Sequence, residues 1–202
     1  MGMIINPYRF SSGPEFIDYS VQNDNSGSAV LTVPTHQEND FFVVGAATRN
    51  GTISVLSGWT RHAHNDALSN EWHDVFIRVA TGSEPATYTF THNGQTAWVF
   101  SVFRNVSSAE TATFVAGSPQ EAPSVTGYAN AIYVGMAGNA NDTTDLSSGF
   151  TGLTTIAQAH FVAGATRAVV AYKILTTSGA TGAFPAVFGA ANYDGYTGFV
   201  LR

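Results

Sequence analysis

Cysteine is absent from this 202-residue chain, and charge is scarce. The first absence excludes disulfides and thiolate metal sites, and leaves the redox compartment open. Charged residues are 11% of the chain, against about 25% in an average soluble domain. The polar surface must therefore come from Ser, Thr, Asn, Gly and Ala, which shed water cheaply. That composition suits a secreted-type β protein, or a surface that is covered by other subunits. Lys173 is the only lysine, the arginines are scattered and the formal net charge is −6. No basic stripe exists to neutralise phosphates, so a nucleic-acid partner is not expected. No apolar run approaches the roughly 18 residues needed to cross a bilayer, so no membrane partner is expected. The start lacks a cationic leader, and Asn6 breaks the myristoylation pattern of a Met-Gly start. The expectation is a soluble protein made in a cytoplasm.

Helical periodicity is also missing, and an apparent repeat takes its place. Residues 40–104 and 131–202 follow one plan. Each opens on an apolar run, Phe41-Phe42-Val43-Val44-Gly45-Ala46-Ala47 and Ile132-Tyr133-Val134-Gly135-Met136-Ala137-Gly138. Each then carries a near-copy tetrapeptide, Ser57-Gly58-Trp59-Thr60 and Ser148-Gly149-Phe150-Thr151. A second apolar run ends near a cation, Arg78 or Lys173, and each half closes on an aliphatic stretch ending in Arg104 or Arg202. In this alignment Trp59 matches Phe150 and Trp98 matches Tyr196, so both tryptophans read as core.

Strand signals are dense. Thr87-Tyr88-Thr89-Phe90-Thr91 alternates a wet face with a buried one. The Asn93-Gly94 pair after it predicts a hairpin, with the returning strand over 97–103. Turn markers recur at short spacing throughout, which points to an all-β sandwich or barrel. The fold expected is a two-sheet antiparallel β-sandwich, jelly-roll-like, built by internal duplication (halves about 30–104 and 123–202). Each half has about four strands and one buried face, so the two halves cover each other within one domain, 15–202. Residues 1–14 read as an extended arm. Pro7, Tyr8, Arg9 and Phe10 are its candidate interface residues, held by a neighbouring subunit.

Candidate chemistry is sparse. Arg61-His62-Ala63-His64-Asn65-Asp66 is the densest cluster. In a strand His62 and His64 would share a face, as metal ligands do, but Glu71 comes too late for a cupin-type site. An exposed loop is the simpler reading, and the matching loop, 152–161, has no His pair. A cupin-like metalloenzyme would rest on those two residues alone. Residues 139–145 hold many oxygen ligands but lack the Gly and Glu of a helix-loop-helix calcium site, so a polar hairpin tip is expected. No nucleophile elbow or phosphate loop occurs. No catalytic, cofactor-binding or metal-binding residues are assigned, and no enzyme activity is expected. Trp72 has no counterpart in the repeat and is the candidate for a ligand contact.

The first half, with Asp40-Phe41-Phe42-Val43-Val44, Ser57-Gly58-Trp59-Thr60 and the run from Arg78 through Glu84 to Thr91, resembles the β-sandwich structural proteins of tailed bacteriophages and prophages. Ser178-Gly179-Ala180-Thr181-Gly182 extends the likeness to the second half, so that it covers about residues 30–202. Asn39 stands where Gly usually precedes the Asp, and Leu56 where Pro usually opens the turn. The resemblance implies a virion part found in head-decoration and tail-fibre contexts, with no catalytic residues. The expected function is a capsid decoration (cement) protein, a homo-oligomer with a trimer favoured, bound to the major capsid protein of the same virion. The alternative is a tail-fibre or spike module that recognises host glycans.

Overall fold

A computed structural model of the chain describes residues 13–68, 71–117, 120–139, 149–161, 166–186 and 195–202. The arm residues Pro7, Tyr8, Arg9 and Phe10 and most of the oxygen-rich segment at 139–145 lie outside them. The described residues hold no helix and pair in antiparallel ladders.

Five strands form the first large sheet: β1 (Glu15–Asp24), β3 (Phe41–Arg49), β4 (Thr60–Leu68), β5 (Glu71–Val79) and β7 (Gln95–Arg104). Their order is β1-β7-β3-β5-β4. A separate two-stranded ribbon pairs β2 (Ser28–Thr32) with β6 (Thr87–Thr91). The second large sheet is built from β8 (Thr113–Ala116), β11 (Ala131–Asn139), β12 (Thr154–Phe161), β13 (Thr166–Leu175) and β16 (Gly195–Leu201), in the order β12-β13-β11-β16-β8. Two short ribbons complete it. One pairs β9 (Glu121–Ala122) with β15 (Phe184–Pro185), the other β10 (Thr126–Gly127) with β14 (Gly179–Ala180).

The two large sheets face each other as in a β-sandwich. Phe41, Val43, Val99 and Phe103 from the first sheet meet Val134, Met136, Val170 and Phe199 from the second in one core. A second core lies outside the first sheet, where Leu31, Tyr88 and Phe90 of the ribbon cover Phe42, Trp59, Trp98 and Phe100. A third lies outside the second sheet, where Ala122 and Phe184 cover Tyr133, Phe150, Tyr196 and Val200. Each half therefore buries both faces of its sheet, not the single face expected. The unbroken apolar run of β3, with its first eight residues buried, is the sequence signature of a doubly covered strand.

The expected hairpin at Asn93-Gly94 is also corrected. A turn is present, but β6 pairs with β2 while β7 pairs with β1 and β3. The turn carries the chain between layers. Tyr88 and Phe90 explain why: their rings pack edge-on against Trp59, so β6 covers the sheet instead of extending it.

The halves correspond in register. Ala46 pairs with Trp98 in one, Ala137 with Tyr196 in the other. Phe42 faces Arg78, and Tyr133 faces Lys173. Each fourth strand carries a bulge at the same step, between Arg61 and Ala63 and between Thr155 and Ala157. The central strands meet across the core by reciprocal fit. A Cβ placed on Gly45 would lie 2.7 Å from Met136 Sδ, so a glycine of one half receives the methionine of the other. Gly138 and Gly195 in turn leave room for the His73 ring, 2.5 and 2.8 Å from where their Cβ atoms would be.

Candidate functional site

The histidine cluster is not an exposed loop. It lies in β4, and the matching segment at 154–161 is β12. The bulge decides its chemistry. Because His62 is the extra residue, it turns inward and packs edge-on against Phe199, with ring centroids 4.9 Å apart. His64 falls on the other face, its Nδ1 2.8 Å from Asp74 Oδ1. The one-face geometry of two metal ligands is thereby lost. Among the described residues no group of three or more His, Asp or Glu could hold a metal ion.

Asp74 sits on β5 at 0% exposure, with Arg61 Nε 3.0 Å and His64 on the same oxygen. Burial pushes its carboxyl up, and the attraction of Arg61 and His64 does not overcome that. Arg61 also lies over the Phe76 ring at 5.5 Å. The group is an ion-pair network that ties β4 to β5. Trp72, two residues earlier on β5, is half-buried opposite Thr48.

The segment after β5 is organised by Glu84. Its Oε1 accepts hydrogen bonds from Thr81 N and Thr81 Oγ1 at 2.6 and 2.8 Å, and the Tyr88 hydroxyl donates to Oε2. Arg78 lies at 3.4 Å from the same carboxylate and over the Tyr88 ring. Burial alone would raise the Glu84 carboxyl, but these donors and the Arg78 charge hold it below the usual range. Burial and the Glu84 charge push the Tyr88 phenol up to about 12. The Thr-Gly-Ser-Glu string thus closes a turn, like the Thr-x-x-Glu box that caps helices. That spacing was the signal available in the sequence.

A third polar group joins the β1–β2 turn to β7. His92 places Nδ1 2.8 Å from Gly94 O and Nε2 3.0 Å from Asp24 Oδ1. Trp98 Nε1 donates to Thr96 Oγ1, which donates to Asp24 O. Burial would raise the Asp24 carboxyl, but Ser26 and His92 lower it.

The two halves differ at one end. In the first, Arg104 reaches inward to Asp40 through two 2.7 Å bonds, just before β3. In the second, Ala131 occupies the matching place, so Arg202 has no carboxylate there. It turns outward, pairs with Glu110 and lies over the Tyr128 ring at 4.4 Å. A cleft of about 530 Å³ opens beside it. Val125, Ala180 and Val200 contribute its apolar lining, and Glu110, Thr113, Ser124 and Thr126 its polar lining. The sequence reading missed this site because Tyr128 and Glu110 lie outside every motif it used. The only signal was the Asp40-to-Ala131 difference between the halves.

The described polar groups thus serve as struts and turn locks. No protein-family model matches the chain, and no curated protein or solved structure matches it either.

Proposed function

We propose that the chain is a structural protein of a tailed-bacteriophage virion, a decoration (cement) protein that binds the outside of the head shell as a symmetric homo-oligomer. The observation that carries this reading is the β1 edge of the first sheet, which pairs with no further strand among the described residues. β1 is an edge strand, and it shows Tyr19 and Val21, two residues apart on one face, to solvent at 46% and 45%. An apolar unpaired edge is a template for another chain. Two of its three acids are used internally: Asp18 Oδ2 accepts Thr35 N, and Asp24 pairs with His92. Pro7, Tyr8, Arg9 and Phe10 precede this strand in sequence. Burial contributes about 25 cal/mol per Å², so a standard interface of roughly 1,600 Å² repeated over a lattice gives firm attachment by avidity.

The scaffold is read as the product of internal duplication. Matched strand order, matched register and the matched bulge support this. The jelly-roll likeness draws no such support, because each large sheet is drawn from one half of the chain, whereas a jelly roll mixes them.

A second reading, a tail-fibre or spike module for host glycans, is favoured by the half-buried Trp72 on a sheet face. The first reading is tested by deleting residues 1–12, since Pro14 is already buried and Asn105 Nδ2 already bonds Gly13 O. Occupancy on purified shells should fall for this variant and for Tyr19→Asp, with melting unchanged. Full occupancy by both variants would contradict it.

A further inference from the structure

We infer that the cleft beside Tyr128 and Arg202 is a binding site for a neutral saccharide unit. This does not depend on where in a virion the chain sits.

The site is built by the divergence of the two halves. Arg104 is spent on Asp40. Arg202, with Ala131 in place of that aspartate, is released to contact two residues that line the cleft, Glu110 and Tyr128. It neutralises Glu110 and presents its guanidinium to one face of Tyr128. The pocket therefore has polar acceptors and donors without net charge, which disfavours an ionic ligand and suits one rich in hydroxyls.

Both walls are set before a ligand arrives. On one side Ser108 N bonds Arg202 O at 2.9 Å, Arg202 N bonds Ser108 O at 2.9 Å and Glu110 N bonds Val200 O at 2.8 Å. On the other, Thr181 N bonds Val125 O at 3.0 Å, Val125 N bonds Thr181 Oγ1 at 3.1 Å, and the Tyr133 hydroxyl donates to Pro123 O at 2.8 Å. Preformed walls reduce the ordering cost of binding.

The lining matches a pyranose. A sugar ring offers an apolar C–H face and a rim of hydroxyls. Val125 and Ala180 supply an apolar surface, while Thr113, Ser124, Thr126 and Glu110 supply hydroxyl and carboxylate partners. The volume of about 530 Å³ falls in the ordinary range for small-ligand pockets, roughly 300–1,000 Å³, and has room for one or two sugar rings.

The test is saturation-transfer NMR and titration of the full chain with glucose, galactose, mannose, lactose and cellobiose, with N-acetylneuraminic acid as the charged comparison. At least one neutral sugar should bind. Tyr128→Ala and Thr126→Val should each weaken that binding at least tenfold with melting unchanged, while Trp72→Ala leaves it intact. Should either variant unfold, Ser124→Ala takes its place. Preference for the charged sugar would overturn the inference. So would binding that survives the cleft substitutions. Loss on Trp72→Ala alone would overturn it and support the glycan reading above, whereas silence from every sugar would end both.

Discussion

Asn39 enters the first central strand with a φ of 71°, and Asn130 enters the second with 58°. Left-handed backbone favours Gly, and Asn is the usual substitute because its short amide can bond locally. Position 39 thus suits Asn or Gly. Asn39→Gly should therefore leave stability within about 0.5 kcal/mol, while Asn39→Val should cost about 1–2 kcal/mol, read by urea unfolding. Glu84 gives a pH-dependent case. Its carboxyl lies below the ordinary glutamate value of 4.5 in the folded chain, so its contribution is fully present above pH 4.5 and is lost as pH falls through the folded value. Glu84→Gln should cost about 2 kcal/mol at pH 7 and flatten the acid-side loss. Asp74 has the opposite sign. Its raised carboxyl stabilises most below the ordinary aspartate value of 3.8, and that contribution is lost as pH rises through the folded value. Asp74→Asn should steepen the rise of stability with pH.

At the scale of elements, the bulge at His62 is the most informative feature. One extra residue sends His62 to the central core and His64 to Asp74, so two neighbours that look like a chelate are parted by a sheet. Excess Zn²⁺ should leave the melting temperature unchanged, and a rise would contradict this arrangement. His64→Ala should cost about 1.5–3 kcal/mol, because it strips a partner from a buried carboxyl. Several strands were legible in the sequence, whereas β4 and β12 were read as loops. Alternation marked β6, and continuous apolar runs marked β3 and β11. Two matters were not legible. Asn93-Gly94 has the same letters whether it closes a hairpin or crosses between layers, and only the rings waiting under Tyr88 and Phe90 decide that. A bulge has no letter of its own, so the face of His62 could not be read from spacing.

For the whole molecule, the packing of the halves turns on matched positions of unlike size. Gly45 faces Met136, and the two occupy equivalent places in the proposed duplication. Gly45→Met alone should overfill the core by about 1–3 kcal/mol, and Met136→Gly alone should leave a cavity worth about 2–5 kcal/mol. The double exchange should recover about 0.5–3 kcal/mol relative to their sum, and strict additivity in a double-mutant cycle would count against the reciprocal fit. The proposed duplication draws on core letters that agree between the halves. The cleft was hidden because it arises where they disagree, at Asp40 against Ala131, and its consequence appears only once Arg202 is seen turned toward Glu110 and Tyr128. The proposed attachment role rests on the apolar edge of β1. Imaging purified virions reads it most directly. The expected result is density for this fold at repeated sites on the shell exterior, with β1 against its neighbour. Particles that lack the chain, or that hold it with Tyr19 and Val21 facing solvent, would contradict it.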